Sequence, residues 1–296
     1  MAMNALGRLN GFIRSIPPSF VTDTPLEFSA ISEVAKSISD PSRTPEMRLR
    51  ERMRMQLGAL LFNGIPRVAY DFPMSLLESL LESNIDPLDI PSDVLQLPHK
   101  CIYIGAYTKN SNGFEFYMAE EIYGSEMRNI LFIASDSTVI IPAISGETFR
   151  ESISHVLEGV GFTTDKNSDY WERAIRGLGI MLNVALFLTG GDLTETVIPG
   201  KTRKRARNLA GWERTDAICG AVGGRFCSAL RRWQNSQATE SALCPHGSPR
   251  PHLRAGHWHL YWTGKGRSVP KVQFLHPCLV NADSIAPGVE IQRKVQ

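Results

Sequence analysis

The sequence predicts an α+β protein: a mostly antiparallel sheet covered by helices, with an N-terminal helical section and a basic C-terminal β-hairpin. Three observations carry that prediction. Apolar residues recur at helical spacing through residues 24–83 and again through 147–188. Four short segments between Cys101 and Pro142 alternate apolar and polar about turn residues, and alternation returns in a His- and Trp-rich stretch from His257. At 296 residues with 43% apolar content the chain can bury a substantial core. The pattern divides it into a helical section (1–98), a central sheet with covering helices (99–190) and a basic section ending in the hairpin (191–296). The three are expected to form one compact unit.

Taken in order, Thr24-Pro25-Leu26-Glu27 opens a first helix, with threonine as cap, proline at the first helical position and glutamate returning the capping bond. Phe28, Ile31, Val34 or Ala35, and Ile38 form its stripe, and Asp40-Pro41 ends it. A second helix opens at Thr44-Pro45-Glu46 and stops at Gly64, with Leu49, Met53 and Leu57 inward and Arg48, Arg50, Arg52 and Arg54 on a solvated face. Pro73 to Ser83 gives a third helix, and the proline-studded run 86–98 an extended connection.

Cys101–Thr108 and Phe114–Glu121 read as strands about an Asn112-Gly113 turn, and Arg128–Ser135 with Thr138–Pro142 as a second hairpin, so that the four make a meander. Glu147–Leu157 and Trp171–Leu188 read as covering helices, the second central. Gly190-Gly191 ends it, 194–211 reads as a loop, and Trp212–Trp233 as a last long helix whose Gly220, Gly223 and Gly224 imply close packing against another backbone. Cys219 and Cys227 fall in that helix pattern and Cys101 in a strand, all as small buried hydrophobes. Residues after Asn281 carry little pattern.

The net charge of +2 conceals a division. Residues 200–296 hold 16 Lys and Arg against 5 Asp and Glu, a balance of +11, which leaves −9 for residues 1–199. A basic section interleaved with aromatic residues points to a polyanion, with RNA first. Five irregularly spaced cysteines argue against a disulfide framework and for a reducing cytoplasm. The opening residues lack the apolar stretch of a signal peptide, and Ala174–Thr189 is too short and too interrupted to span a bilayer, so no membrane partner is expected.

From His257 the letters alternate, placing His257, His259 and Tyr261 on one strand face and Trp258, Leu260 and Trp262 on the other. The tryptophan face is expected to pack. Gly264-Lys265-Gly266-Arg267 supplies a turn, Val269–Leu275 the return strand, and Pro277 closes the hairpin. The candidate RNA- or partner-binding residues are Arg250, His252, Arg254, His257, His259 and Tyr261. To these are added Arg231 and Arg232 and the basic run Lys201, Arg203, Lys204, Arg205 and Arg207.

Two chemistries remain open at the histidines. His257 and His259 can share a zinc ion with His252, Cys244, His246 or His276, although no Cys-x-x-Cys pair supports it and no metal or other cofactor is assigned. They can also serve a ribonuclease as acid and base, with His252 or His276 in one role, since side chains two apart on a strand point the same way. A structural dimerisation module is the third reading.

The run Arg250-Pro251-His252, Arg254, Gly256-His257-Trp258-His259, Tyr261-Trp262, Gly264 and Gly266, then Lys271-Val272, Pro277 and Val280-Asn281, resembles the end of a type V-A anti-CRISPR family that blocks biogenesis of the CRISPR effector nuclease. Cys101-Ile102-Tyr103-Ile104 is similar to that family's first central strand. Gly220–Gln234, with Gly223-Gly224 and Arg231-Arg232-Trp233-Gln234, is similar to its basic helix, and Arg8-Leu9-Asn10 with Phe12 adds a short N-terminal match. Ala255 departs, standing where relatives are expected to carry a second arginine. The resemblance implies a mobile-element protein acting in the bacterial cytoplasm. It would recognise the effector's nascent N-terminal peptide during translation and cause loss of the mRNA, with the ribosome, the mRNA and a host ribonuclease as further partners.

Overall fold

The computed structural model describes residues 5–17, 47–81, 86–108, 111–124, 126–135, 137–159, 169–190, 193–200, 211–226, 252–254, 257–275 and 278–280, and singly 20, 30, 31, 34 and 228. The predicted helix at 24–38 therefore lies outside the described residues save for Ala30, Ile31 and Val34, which are helical.

A seven-stranded sheet forms the centre. Its strands are β1 (Arg67–Asp71), β2 (Cys101–Thr108), β3 (Ser111–Tyr123), β4 (Met127–Ala134), β5 (Thr138–Ile144), β6 (Leu193–Ile198) and β7 (Ala217–Val222), in the order β5-β4-β3-β2-β1-β7-β6. β2 to β5 are the predicted antiparallel meander. Thr108 pairs with Ser111, so Asn112-Gly113 stands inside β3 and not at the turn. Pro142 sits in edge strand β5, where a missing N–H is tolerated.

The other half of the sheet departs from expectation. β1 runs parallel to both β2 and β7, and β6 pairs antiparallel on β7. Of the predicted helix 212–233, the first part is instead a single turn at Gly211–Arg214 followed by strand β7, and helix is found only at residues 224–226 and 228 among the described ones; the predicted loop after Gly191 contains β6. The reason lies in Ala217-Ile218-Cys219-Gly220-Ala221-Val222: a short internal strand flanked on both sides does not alternate, and its small residues suit a helix equally well. Gly220 does mark close packing, against a ring and not a backbone, since a Cβ there would stand 2.2 Å from Cδ1 of Tyr70. Gly223, at a φ of +74°, ends the strand beside Leu76.

Helix α1 (Ala5–Ser15) and α2 (Met47–Leu60) cover one face. In α1, Leu6, Leu9 and Ile13 go inward, Asn10 Oδ1 accepts from Arg67 at 2.6 Å, and Asp71 caps the first turn by accepting from the Ala5 amide at 2.7 Å. α2 is rotated from the predicted orientation in part: Leu57 is buried as expected, but Leu49 and Met53 are exposed, while Arg54 is buried and donates through Nη1 to the Ser135 carbonyl at 2.9 Å. Gly58 explains the rotation, because the Tyr117 ring occupies the space its Cβ would fill.

The opposite face is covered by α3 (Met74–Leu81) and α5 (Asp169–Thr189), with Phe187 of α5 packed edge-on to Phe72 at 5.9 Å. α4 (Phe149–Gly159) flanks β5. The connection 86–98 contains two short 3-10 turns and is tied down by Arg128, which donates to the carbonyls of Leu95 and Ser92 and pairs with Glu120 at 2.7 Å. One hydrophobic cluster runs from Ala5 to Phe274. Cys101 is buried, as expected, and burial pushes its thiol up to about 12; Cys219 is partly buried and in a strand, not a helix. No helix among the described residues is long and apolar enough to cross a membrane.

Candidate functional site

The C-terminal strands stand apart from the large sheet. β9 (His257–Thr263) and β10 (Val269–Leu275) form the predicted hairpin, with His259 opposite Gln273, Tyr261 opposite Lys271 and Trp262 opposite Pro270. Pro277, expected to close it, lies outside the described residues. The chain pairs again two residues outside, β8 (His252–Arg254) against β11 (Cys278–Val280), so the ribbon resumes beyond the hairpin's base.

The base is anchored on α5. Trp258 is 3% exposed, donates through Nε1 to Oδ1 of Asn183 at 2.8 Å, and packs edge-on against Phe274 at 5.2 Å; Phe274 in turn meets Phe187 at 5.7 Å. Val272 completes the buried patch. Burying an indole requires a partner for its N–H, and Asn183, a polar break in the apolar second half of α5, supplies it.

Further out the ribbon leaves the body. Trp262 lies on the same face as Trp258 yet is 52% exposed, which corrects the expectation that both tryptophans pack in the core. The packing surface ends before the strand does. On the other face His257 is half-buried, His259 and Tyr261 are exposed, and the rings of the last two stack at 4.1 Å and 29°. Lys271 is exposed opposite Tyr261, and Lys265 and Arg267 sit in the turn, where Gly264, Gly266 and Arg267 all take positive φ. From His257 to Leu275 there is no Asp or Glu.

The structure thus brings together His257, His259 and Tyr261 of the candidate residues and adds Trp262, Lys265, Arg267 and Lys271, which alternation alone placed in the core, the turn or the return strand. His252 and Arg254 are described by backbone only, as partners of Val280 and Cys278. Arg250, Arg231, Arg232, Lys201, Arg203, Lys204, Arg205, Arg207, His276, Cys244 and His246 lie outside the described residues. Among the described residues no group of three His, Cys, Asp or Glu side chains stands together to hold a metal ion. His257 and His259 share one strand face, so this pair by itself does not place acid and base on opposite sides of a phosphate.

Two polar clusters elsewhere were not foreseen. Glu115 accepts from Arg8 at 2.6 Å and from the Tyr103 and Tyr107 hydroxyls, while Arg8 lies over the Phe12 and Tyr107 rings, so the cluster clasps α1 to β2 and β3. Burial holds the Tyr103 hydroxyl far above its ordinary range. On the far side, Tyr70 donates to Glu195, which His99 Nε2 also meets at 2.9 Å. Burial pushes the Glu195 carboxyl up, but the Tyr70 and His99 hydrogen bonds outweigh it and leave Glu195 below the usual range. These contacts pin strand β6 by one side chain while Val197 and Ile198 remain exposed.

A model of AcrVA2-like proteins, the anti-CRISPR type V subtype A2 family, matches residues 70–282, from β1 through β11 and thus nearly all of the sheet together with the hairpin. No curated protein and no solved structure matches. The match covers well over half of the 296 residues and includes the His-Trp-His hairpin, its anchor on α5 and the sheet beneath; the chain belongs to the anti-CRISPR type V subtype A2 family.

Proposed function

We propose that this anti-CRISPR protein lowers production of the type V-A effector nuclease by recognising the effector's nascent N-terminal peptide during translation and triggering loss of its mRNA, with the hairpin facing RNA. One observation carries the RNA side of this reading: a cationic, aromatic ribbon free of carboxylates, held on the core by Trp258, with His259, Tyr261 and Trp262 exposed. Such a surface attracts phosphate and offers planar rings to bases.

The peptide side is supported by β6. It is the last strand of the sheet among the described residues, and Thr194 to Ile198 are exposed along it. An extended peptide adds to such an edge through backbone hydrogen bonds, with side chains at alternate positions reading its sequence. Val197→Lys is expected to weaken peptide binding in a pull-down while leaving RNA binding unchanged.

The histidine pair serves recognition on this reading, and cutting falls to another factor. The test incubates purified protein with RNA carrying the effector's start region, first alone and then in a translating extract, using wild type and His257→Ala/His259→Ala. Loss of RNA only during translation, and only with the encoded peptide intact, is expected. Cleavage of the bare RNA that disappears in the double variant would overturn the recognition reading and make the hairpin a nuclease.

A further inference from the structure

We infer that the distal half of the hairpin is a stacking platform for unpaired nucleotides, so that the RNA it engages is single-stranded rather than duplex. This rests on the reading of the hairpin as the RNA-facing surface.

Beyond the anchor formed by Trp258, Val272 and Phe274, the ribbon presents aromatic surface on both faces. One carries the His259–Tyr261 stack with Lys271 as Tyr261's cross-strand neighbour; the other carries Trp262 opposite Pro270. Cross-strand partners sit about 5 Å apart at Cα, close enough for one nucleotide to place its phosphate on Lys271 and its base beside Tyr261. Lys265 and Arg267 lie at the apex between the two faces, and none of the three cations makes an ion pair with a described residue.

The chemistry separates single strands from duplexes. In an A-form duplex the base faces are already stacked on one another and the major groove is too deep and narrow for side chains to read, so exposed rings gain little there. A splayed base can cover Trp262 or the imidazole–phenol stack and remove that surface from water. A membrane is the other surface that aromatic and basic tips engage. Here the apex is Gly264-Lys265-Gly266-Arg267-Ser268, with no apolar residue to insert, and the rings lie back along the strands.

The test is fluorescence anisotropy of the full chain with a labelled, unstructured RNA of about twelve nucleotides and a blunt duplex of the same length. The single strand is expected to bind at least about tenfold more tightly. Trp262→Ala should weaken single-strand binding about five- to hundredfold, and Trp262→Phe should restore most of it. Replacing Lys265, Arg267 and Lys271 together by alanine should weaken binding to both RNAs and flatten the salt dependence by about 0.7 in log–log slope per lost phosphate contact. Equal affinity for strand and duplex, with Trp262→Ala silent, would overturn the stacking platform. Loss of binding in the triple cation variant would in that case still uphold the RNA-facing hairpin. RNA binding unchanged by both sets of variants, or binding to phosphatidylserine vesicles in place of RNA, would overturn the RNA-facing reading together with the inference.

Discussion

Trp258 and Trp262 are four residues apart on one face of one strand, and they live in different environments. The first is enclosed by α5 and Phe274 with its N–H satisfied by Asn183; the second projects past the body beside Pro270. Alternation fixes which way a side chain points. Whether anything stands opposite depends on where the neighbouring element ends, and here α5 underlies only the hairpin's base. The ribbon is therefore a lever: a buried end that sets its position and an exposed end that, on the proposed reading, meets RNA.

The comparison predicts opposite phenotypes for the same substitution. Trp258→Ala empties a buried aromatic site and orphans the Asn183 amide, so a loss of about 3–5 kcal/mol in denaturant unfolding is expected. A loss below about 1 kcal/mol would show that the hairpin base is not part of the cooperative core. Asn183→Ala comes next: it keeps the rings but leaves a buried indole N–H without its acceptor, for an expected cost of about 1–3 kcal/mol. Combined with Trp258→Phe, which removes the N–H, the Asn183 substitution should cost markedly less than it does alone, and strict additivity would show that the hydrogen bond contributes little.

The same distinction between direction and depth explains what was legible in the sequence. Strands β2 to β5 are buried on both faces over much of their length, yet they are legible as long runs rich in β-branched and aromatic residues, and the β9–β10 hairpin has two differently used faces and turn glycines. β1 and β7 lack those marks: β1 is only 5 residues long, and the stretch around Gly220 is small enough to pass for helix. β6 follows Gly190-Gly191 and precedes the basic run at 201, a setting that reads as loop. α1, with Gly7, Asn10 and Gly11, has little intrinsic helix preference and is held by tertiary contacts, Arg8 to Glu115 and Ala5 to Asp71. At the candidate site His257, His259 and Tyr261 fell on the predicted face, whereas Trp262 was misplaced because helix length above a strand leaves no mark on the strand's own letters.

The turn sharpens the contrast between base and tip. Arg267 is the one non-glycine among the described residues at positive φ, 54°, a conformation that costs an ordinary side chain about 1–2 kcal/mol. Arg267→Gly should therefore stabilise the fold by about 1 kcal/mol while weakening RNA binding, the pattern expected where a strained position is kept for contact rather than for folding. Equal RNA affinity in this variant would remove Arg267 from the binding surface.

The smallest effect on stability is expected at Trp262→Ala, within about 0.5 kcal/mol of wild type, because half of that side chain is already in water and nothing in the core leans on it. A null in calorimetry here is informative only beside the large loss at Trp258. If both substitutions destabilise alike, the tip is packed in solution, against a second copy or another segment of the chain, and its rings are not available to RNA. If Trp262→Ala leaves the melting curve in place and removes single-strand affinity, one face of one strand carries the fold at its base and the binding function at its tip.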